Sequence, residues 1–210
     1  TRRSSDLMAG ITPVSRGGDS LGGTVRIDSA MPQFAAPGQA PQLHGVISAF
    51  HRTNGVVNGG NTGFSLATEN FAVSVSGAYV NSNDYKSGLG SVVKSTLYES
   101  QNDALQLATR RGNHTLSLDL GFQRIPQQGF VNARMDMTGN QGVFANLHYT
   151  GAVRSALVDA RVYYQDTRHS MNILKDKTPG MLMPMDTSGH NQGYSLEAEI
   201  PLSARDTLRA

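Results

Sequence analysis

Apolar and polar residues alternate along most of the chain from residue 42 onward. Between residues 71 and 79, odd positions carry Phe, Val, Gly or Tyr, and even positions carry Ala or Ser. The clearest segments are 71–79, 114–123, 156–165 and 194–202; weaker ones are 43–52, 63–68, 93–110 and 143–150. A period of two is typical of β-strands with one apolar and one polar face. We therefore predict an all-β fold of eight strands, with a ninth starting at residue 208, and no helix.

The connections between these segments alternate in length. Those after the odd-numbered segments are long: 54–60, 82–92, 126–140 and 168–191. Those after the even-numbered segments are short: 69–70, 111–113, 151–155 and 203–207. Outer-membrane barrels combine tight periplasmic turns with long extracellular loops. The sequence therefore predicts part of an antiparallel transmembrane β-barrel.

Composition excludes several other classes. Among the 210 residues, 18 Lys and Arg face 16 Asp and Glu, and this net charge of +2 is too small to indicate a nucleic-acid partner. Cysteine is absent, which rules out disulfides, zinc–thiolate sites and thiol catalysis. No apolar run approaches the roughly 18 residues of a membrane helix. Charged residues make up only 16% of the chain, against roughly 25% in ordinary soluble domains.

The first 41 residues differ from the rest. They contain a glycine-rich run, a short strand-like stretch at 24–28, and a linker rich in Ala, Pro and Gln at 32–41. The turn residues of the run are Gly17, Gly18, Asp19, Gly22 and Gly23. Glycine suits a tight turn because it reaches positive φ without steric cost. No Lys-Ser/Thr pair or helix follows, so the run does not match a phosphate-binding loop.

Residues 13–27, followed directly by barrel-type alternation, resemble the junction of plug and barrel in TonB-dependent outer-membrane receptors. Residues 129–140 and 183–187 also resemble barrel loops of metal-uptake receptors in that family. The resemblance covers the whole chain. It implies that residues 1–41 are the end of a plug domain with its linker, and that residues 42–210 are the first eight to nine strands of a larger barrel.

The resemblance also implies a function. Such a receptor lies in the bacterial outer membrane, contacts its lipid, and imports a scarce ligand with energy from the inner-membrane TonB complex. Ferric siderophores, heme, copper complexes and cobalamin all remain open as cargo, because a fold does not fix its ligand. We expect no resident cofactor, and any iron or copper complex would be cargo. We also expect an internal fragment, without the TonB box, most of the plug and more than half of the barrel.

Methionine and histidine gather in two predicted extracellular loops. The candidate ligand-binding residues are His169, Met171, Met181, Met183, Met185 and His190 in one loop, and Met135 and Met137 in the preceding one. Thioether and imidazole together favour soft copper, above all Cu(I). His169 and Met171 share the parity of the polar face. The alternative interpretation is that these methionines pack the underside of a folded loop.

Three other functions remain open on sequence grounds. A plug-less porin would lack a glycine-rich segment before its first strand. A soluble all-β binding module would bury the apolar faces between two sheets. An outer-membrane enzyme would need a Ser–His pair in its lumen, and no recognisable spacing provides one, so we predict no catalytic residues.

Overall fold

The computed structural model describes residues 4–10, 22–28, 30–175, 177, 184–203 and 205–209. The chain forms two compact units, Thr1–Gln33 and Phe34–Ala210. The first unit contains an antiparallel pair, β1 (Ser4–Ala9) and β2 (Gly23–Asp28), in which Ala9 lies opposite Gly23. β2 confirms the strand predicted at 24–28, whereas β1 occupies a stretch for which the alternation predicts no strand.

The second unit is a nine-stranded antiparallel sheet whose strand order follows the chain. Its strands are β3 (Gln42–Arg52), β4 (Val57–Ala67), β5 (Phe71–Ser82), β6 (Tyr98–Arg111), β7 (His114–Gln128), β8 (Asp136–Val153), β9 (Ala156–Asn172), β10 (Met185–Pro201) and β11 (Thr207–Arg209). This confirms the all-β prediction, the eight strands and the start of a ninth. Within the described ranges there is no helix long and apolar enough to cross a membrane.

The strands extend further than the alternation predicts, mainly at one end of the sheet. The connections at that end, here called the loop end, are 53–56, 83–97, 129–135 and 173–184. The opposite end, here called the turn end, has the connections 68–70, 112–113, 154–155 and 202–206. The long–short alternation therefore persists, most clearly from β5 onward. The loops predicted at 54–60, 126–140 and 168–191 are too long, because β4 begins at Val57, β8 begins at Asp136 and β9 runs to Asn172. The loop predicted at 82–92 is too short, because β6 begins at Tyr98 and not at residue 93.

One face of the sheet is largely apolar and the other is largely polar, and the two faces differ in their exposure to solvent. Register pairing places Leu118, Leu147, Val162 and Tyr194 in one row across β7 to β10, with further apolar rows on either side. We call this side the apolar face and the other the polar face. Tyr194 is 84% exposed, whereas Ser117 on the polar face is 4% exposed. The arrangement is the reverse of that in a water-soluble sheet.

The apolar face has a defined upper limit at the loop end. On β7 the apolar positions run from Leu116 to Phe122, which corresponds to about 20 Å at roughly 3.4 Å per residue. The next row toward the loop end contains Arg124, Gln141 and Arg168, which are polar. The apolar band therefore ends at this row on β7, β8 and β9.

Neighbouring loops at the loop end are joined to one another. Asn54 donates its amide to the carbonyl of Lys86 (2.9 Å), and the Asn83 N–H donates to the carbonyl of Gly55 (2.7 Å). The Gly129 N–H donates to the carbonyl of Leu97 (2.8 Å). Loops 53–56, 83–97 and 129–135 are therefore connected in series.

Candidate functional site

Three methionines form a row across the loop end of the sheet. Met137 in β8 lies opposite Met171 in β9, and Met171 lies opposite Met185 in β10. Directly opposed residues of an antiparallel pair have Cβ atoms about 4.5–5.5 Å apart. Met137 and Met171 are half-buried and Met185 is 38% exposed. We call these three residues the methionine row; their register places three thioethers side by side on one face of the sheet.

A β-bulge aligns Met137 with the other two methionines. The register of β8 against β9 shifts between Met137 and Gly139, so that Thr138 is an extra residue on β8. Simple alternation from Val143 would put Met137 on the apolar face. Because the bulge adds one residue, Met137 instead shares the face of Met171, which is the polar face. Bulges commonly re-aim a side chain in this way beside functional sites.

His169 adds an imidazole to the same face. It lies two positions from Met171 along β9, about 7 Å at the usual rise per residue. Its Nδ1 lies within hydrogen-bond distance of Oδ1 of Asn140 (3.1 Å), the residue opposite it on β8. A second partner that fixes one ring nitrogen is typical of histidine ligands.

The other predicted ligand residues are not part of this row. Met135 precedes β8, and its carbonyl accepts a hydrogen bond from Lys177 Nζ (3.1 Å). His190 lies opposite Asp166 and shares the face of Tyr194, so it lies on the opposite side of the sheet from His169. Met181 and Met183 fall outside the described residues, as do Gly17, Gly18 and Asp19. Gly22 is exposed, and Gly23 begins β2 with a φ of 122°.

The candidate ligand atoms on this face are the thioether sulfurs of the methionine row and the imidazole of His169. Within the described part of the chain, no group of three or more His, Cys, Asp or Glu side chains is arranged to hold a metal ion. A site for a hard or borderline cation would need such a group. Thioether with a single imidazole suits a soft ion such as Cu(I).

A second polar cluster lies on the polar face nearer the turn end. His148 Nε2 and Asp159 Oδ2 are 2.9 Å apart, and Arg161 Nε donates to Asp159 Oδ1 at 3.1 Å. Ser117 lies opposite His148, but no hydrogen bond joins them among the residues that the structure describes. The cluster is therefore a charge network, and its serine lacks the contact that general-base activation requires.

The fold is that of the barrel of TonB-dependent receptors, in agreement with the resemblance seen in the sequence. One similar structure is the copper transporter OprC, at 17% identity and a TM-score of 0.75, with 95% of this chain and 31% of that chain covered. Another is a mutant of the ferric enterobactin receptor PfeA from Pseudomonas aeruginosa, at 15% identity and a TM-score of 0.61, with 98% and 34% covered.

This chain thus spans about a third of the length of these two solved structures. No family model matches the sequence, and no curated protein matches it. At such low identity the likeness concerns the fold.

Proposed function

We propose that this chain is part of a TonB-dependent receptor of the bacterial outer membrane. The observation that carries the proposal is the exposure of the apolar face: Val75 is 50% exposed and Leu196 is 67% exposed. Water would disfavour such a face, whereas lipid hydrocarbon would not. The loop end would lie outside the cell, with the methionine row at the ligand-entry side. Energy would come from the inner-membrane TonB complex.

The alternatives from the sequence fit less well. A soluble binding module would need to bury the apolar face between two sheets, whereas the strands from β3 to β11 form a single sheet. The separate β1–β2 unit ahead of the barrel strands favours a plugged receptor over a porin. The charge network at His148 gives no support to an enzyme.

For the cargo, we propose copper, as Cu(I) or a copper complex, bound by the methionine row and His169. Three thioethers and one imidazole on the same face are a soft donor set. The likeness to a copper transporter supports this choice. A ferric siderophore is the second candidate, because the fold also resembles that of a ferric enterobactin receptor.

The test is copper uptake by cells that carry the intact gene, lack it, or carry variants. In the main variant, all three row methionines are replaced by Leu, which keeps apolar volume and removes the thioether. We expect copper accumulation under copper limitation to fall about tenfold, the lower range for a damaged metal site. Met31→Leu, a change at an exposed methionine outside the barrel strands, should leave uptake unchanged.

Growth under iron limitation tests the alternative that the cargo is a ferric siderophore. If loss of the gene impairs growth with a ferric siderophore and leaves copper accumulation unchanged, the cargo is the siderophore and the copper proposal is wrong. If the protein is recovered in the soluble fraction of the cell, the receptor proposal itself is wrong.

A further inference from the structure

A buried ion pair closes the loop end of strands β8 and β9. Asp136 is fully buried, and its Oδ1 lies 2.7 Å from Nζ of Lys177, whose side chain is only 13% exposed. Lys177 lies beyond the end of β9, whereas Asp136 is the first residue of β8. We call this pair the Asp136–Lys177 clasp.

Backbone groups from two connections complete the clasp. The carboxylate accepts hydrogen bonds from the Phe130 N–H (2.9 Å) and the Leu174 N–H (3.2 Å). The ammonium donates to the carbonyls of Phe130 (2.8 Å), Ala133 (2.8 Å) and Met135 (3.1 Å). Both charges are therefore hydrogen-bonded, and connection 129–135 is fastened to the chain that leaves β9.

The clasp adjoins the methionine row. Asp136 lies opposite Asn172, and the next paired residues are Met137 and Met171. The bulge at Thr138 lies on the other side of this pair and locally disrupts the ladder. The Met137–Met171 pair thus lies between an interrupted ladder and the strand ends, where fraying is easiest.

A contribution to the stability of the fold is not a sufficient reason for a buried ion pair at this position. Removing two charges from water is costly, and well-packed apolar residues often serve stability as well as a buried ion pair does. A network of directed bonds does, however, fix geometry. A rigid supporting shell is what a metal site requires of the residues around its ligands.

We propose that Asp136 and Lys177 are positioning residues that hold Met137 opposite Met171 in a spacing suited to Cu(I). This inference rests on the copper site proposed above. Neither residue touches the ion. Loss of the clasp would free the ends of β8 and β9, so that Met137 leaves the shared site.

The experiment uses the full chain encoded by the gene, purified in detergent and titrated with Cu(I) against a chromophoric Cu(I) chelator. Lys177→Leu removes the ammonium and adds no thioether. We expect its Cu(I) affinity to fall about tenfold or more, as for other changes around metal ligands. X-ray absorption should show fewer sulfur neighbours around copper than in the wild type, a change that a merely less stable protein would not give.

Two further variants complete the design. Asp136→Asn keeps the shape and one acceptor oxygen, and it carries the test if Lys177→Leu does not fold. Arg161→Gln is the matched control, because it removes another ion pair, between Arg161 and Asp159 within β9, toward the turn end. It should leave affinity and sulfur count unchanged.

The possible failures are distinguishable. If the wild type binds Cu(I) and the clasp variants bind it equally tightly with the same sulfur count, the clasp has no positioning role and this inference is wrong. If the wild type itself does not bind Cu(I), the copper proposal fails and the inference fails with it.

Discussion

Gly129 shows how one residue couples two loops at the loop end. A Cβ atom built on it would lie 2.3 Å from the backbone carbonyl of Ser95, far inside normal contact. Ser95 is itself buried and adopts a φ of 60°, so its backbone has little freedom to retreat. Only glycine therefore allows the close approach that the hydrogen bond from Gly129 to Leu97 requires.

We expect Gly129→Ala to separate loops 83–97 and 129–135. Forcing extra volume into a tight contact typically costs about 1–3 kcal/mol. Hydrogen exchange should become faster in residues 93–97 and 129–135. Gly88→Ala is the control, because a Cβ at Gly88 in the same loop meets nothing within 4 Å. Unchanged exchange in the Gly129 variant would contradict the proposed coupling.

The β-bulge in β8 determines on which face of the sheet Met137 lies. Below the bulge, even-numbered residues such as Asn146 and His148 lie on the polar face. Above it, the odd-numbered Met137 lies on that face. One inserted residue thus decides whether three methionines or two share the polar face.

Deletion of Thr138 should restore regular pairing and turn Met137 toward the apolar face. We expect the Cu(I) complex to lose one sulfur neighbour, measured by X-ray absorption on the full chain in detergent. Thr138→Ala keeps the extra residue and should retain the full sulfur count. An unchanged sulfur count after the deletion would show that Met137 is not a ligand.

The two faces of β8 also allow a test of whether the apolar face contacts lipid. Leu147→Arg and Asn146→Arg place the same charge on adjacent residues of opposite faces. On the lipid face, Arg near the bilayer midplane costs about 2–4 kcal/mol, whereas on the polar face it remains hydrated. The free energy of unfolding from lipid vesicles should fall only for Leu147→Arg. Equal effects at the two positions would contradict a lipid-facing apolar surface.

The strands and their faces were predictable from the sequence, because successive side chains of a strand lie on opposite faces. A sheet with one apolar and one polar face therefore shows a period of two in its sequence. The shared face of His169 and Met171 follows from the same parity. The loop-end extensions of β8, β9 and β10 were not predictable, since beyond Phe122 and Tyr164 both faces are polar and alternation disappears. The face on which Met137 lies was not predictable either, because the period of two gives no sign of an inserted residue.

At the scale of the whole molecule, the sheet has two open edges in the described residues. β3 pairs only with β4, and the short β11 pairs only with β10. An unpaired edge presents a row of free N–H and C=O groups, which lipid in particular does not satisfy.

We therefore expect these 210 residues, produced alone in detergent, to associate through strand edges. Sedimentation analysis should show oligomers at micromolar concentration. A longer chain in which further strands complete the barrel should be monomeric under the same conditions. A monomeric 210-residue chain with native strand content would contradict this expectation.

The serial connection of the loops also affects how this surface is recognised by antibodies. Residues 54–55 take their shape from the backbone of residues 83–86, and residue 129 from that of residues 95–97. A synthetic peptide copying one loop lacks these neighbours and samples other conformations. A serum raised against such peptides would bind the denatured chain, whereas antibodies raised against the folded protein would recognise discontinuous epitopes.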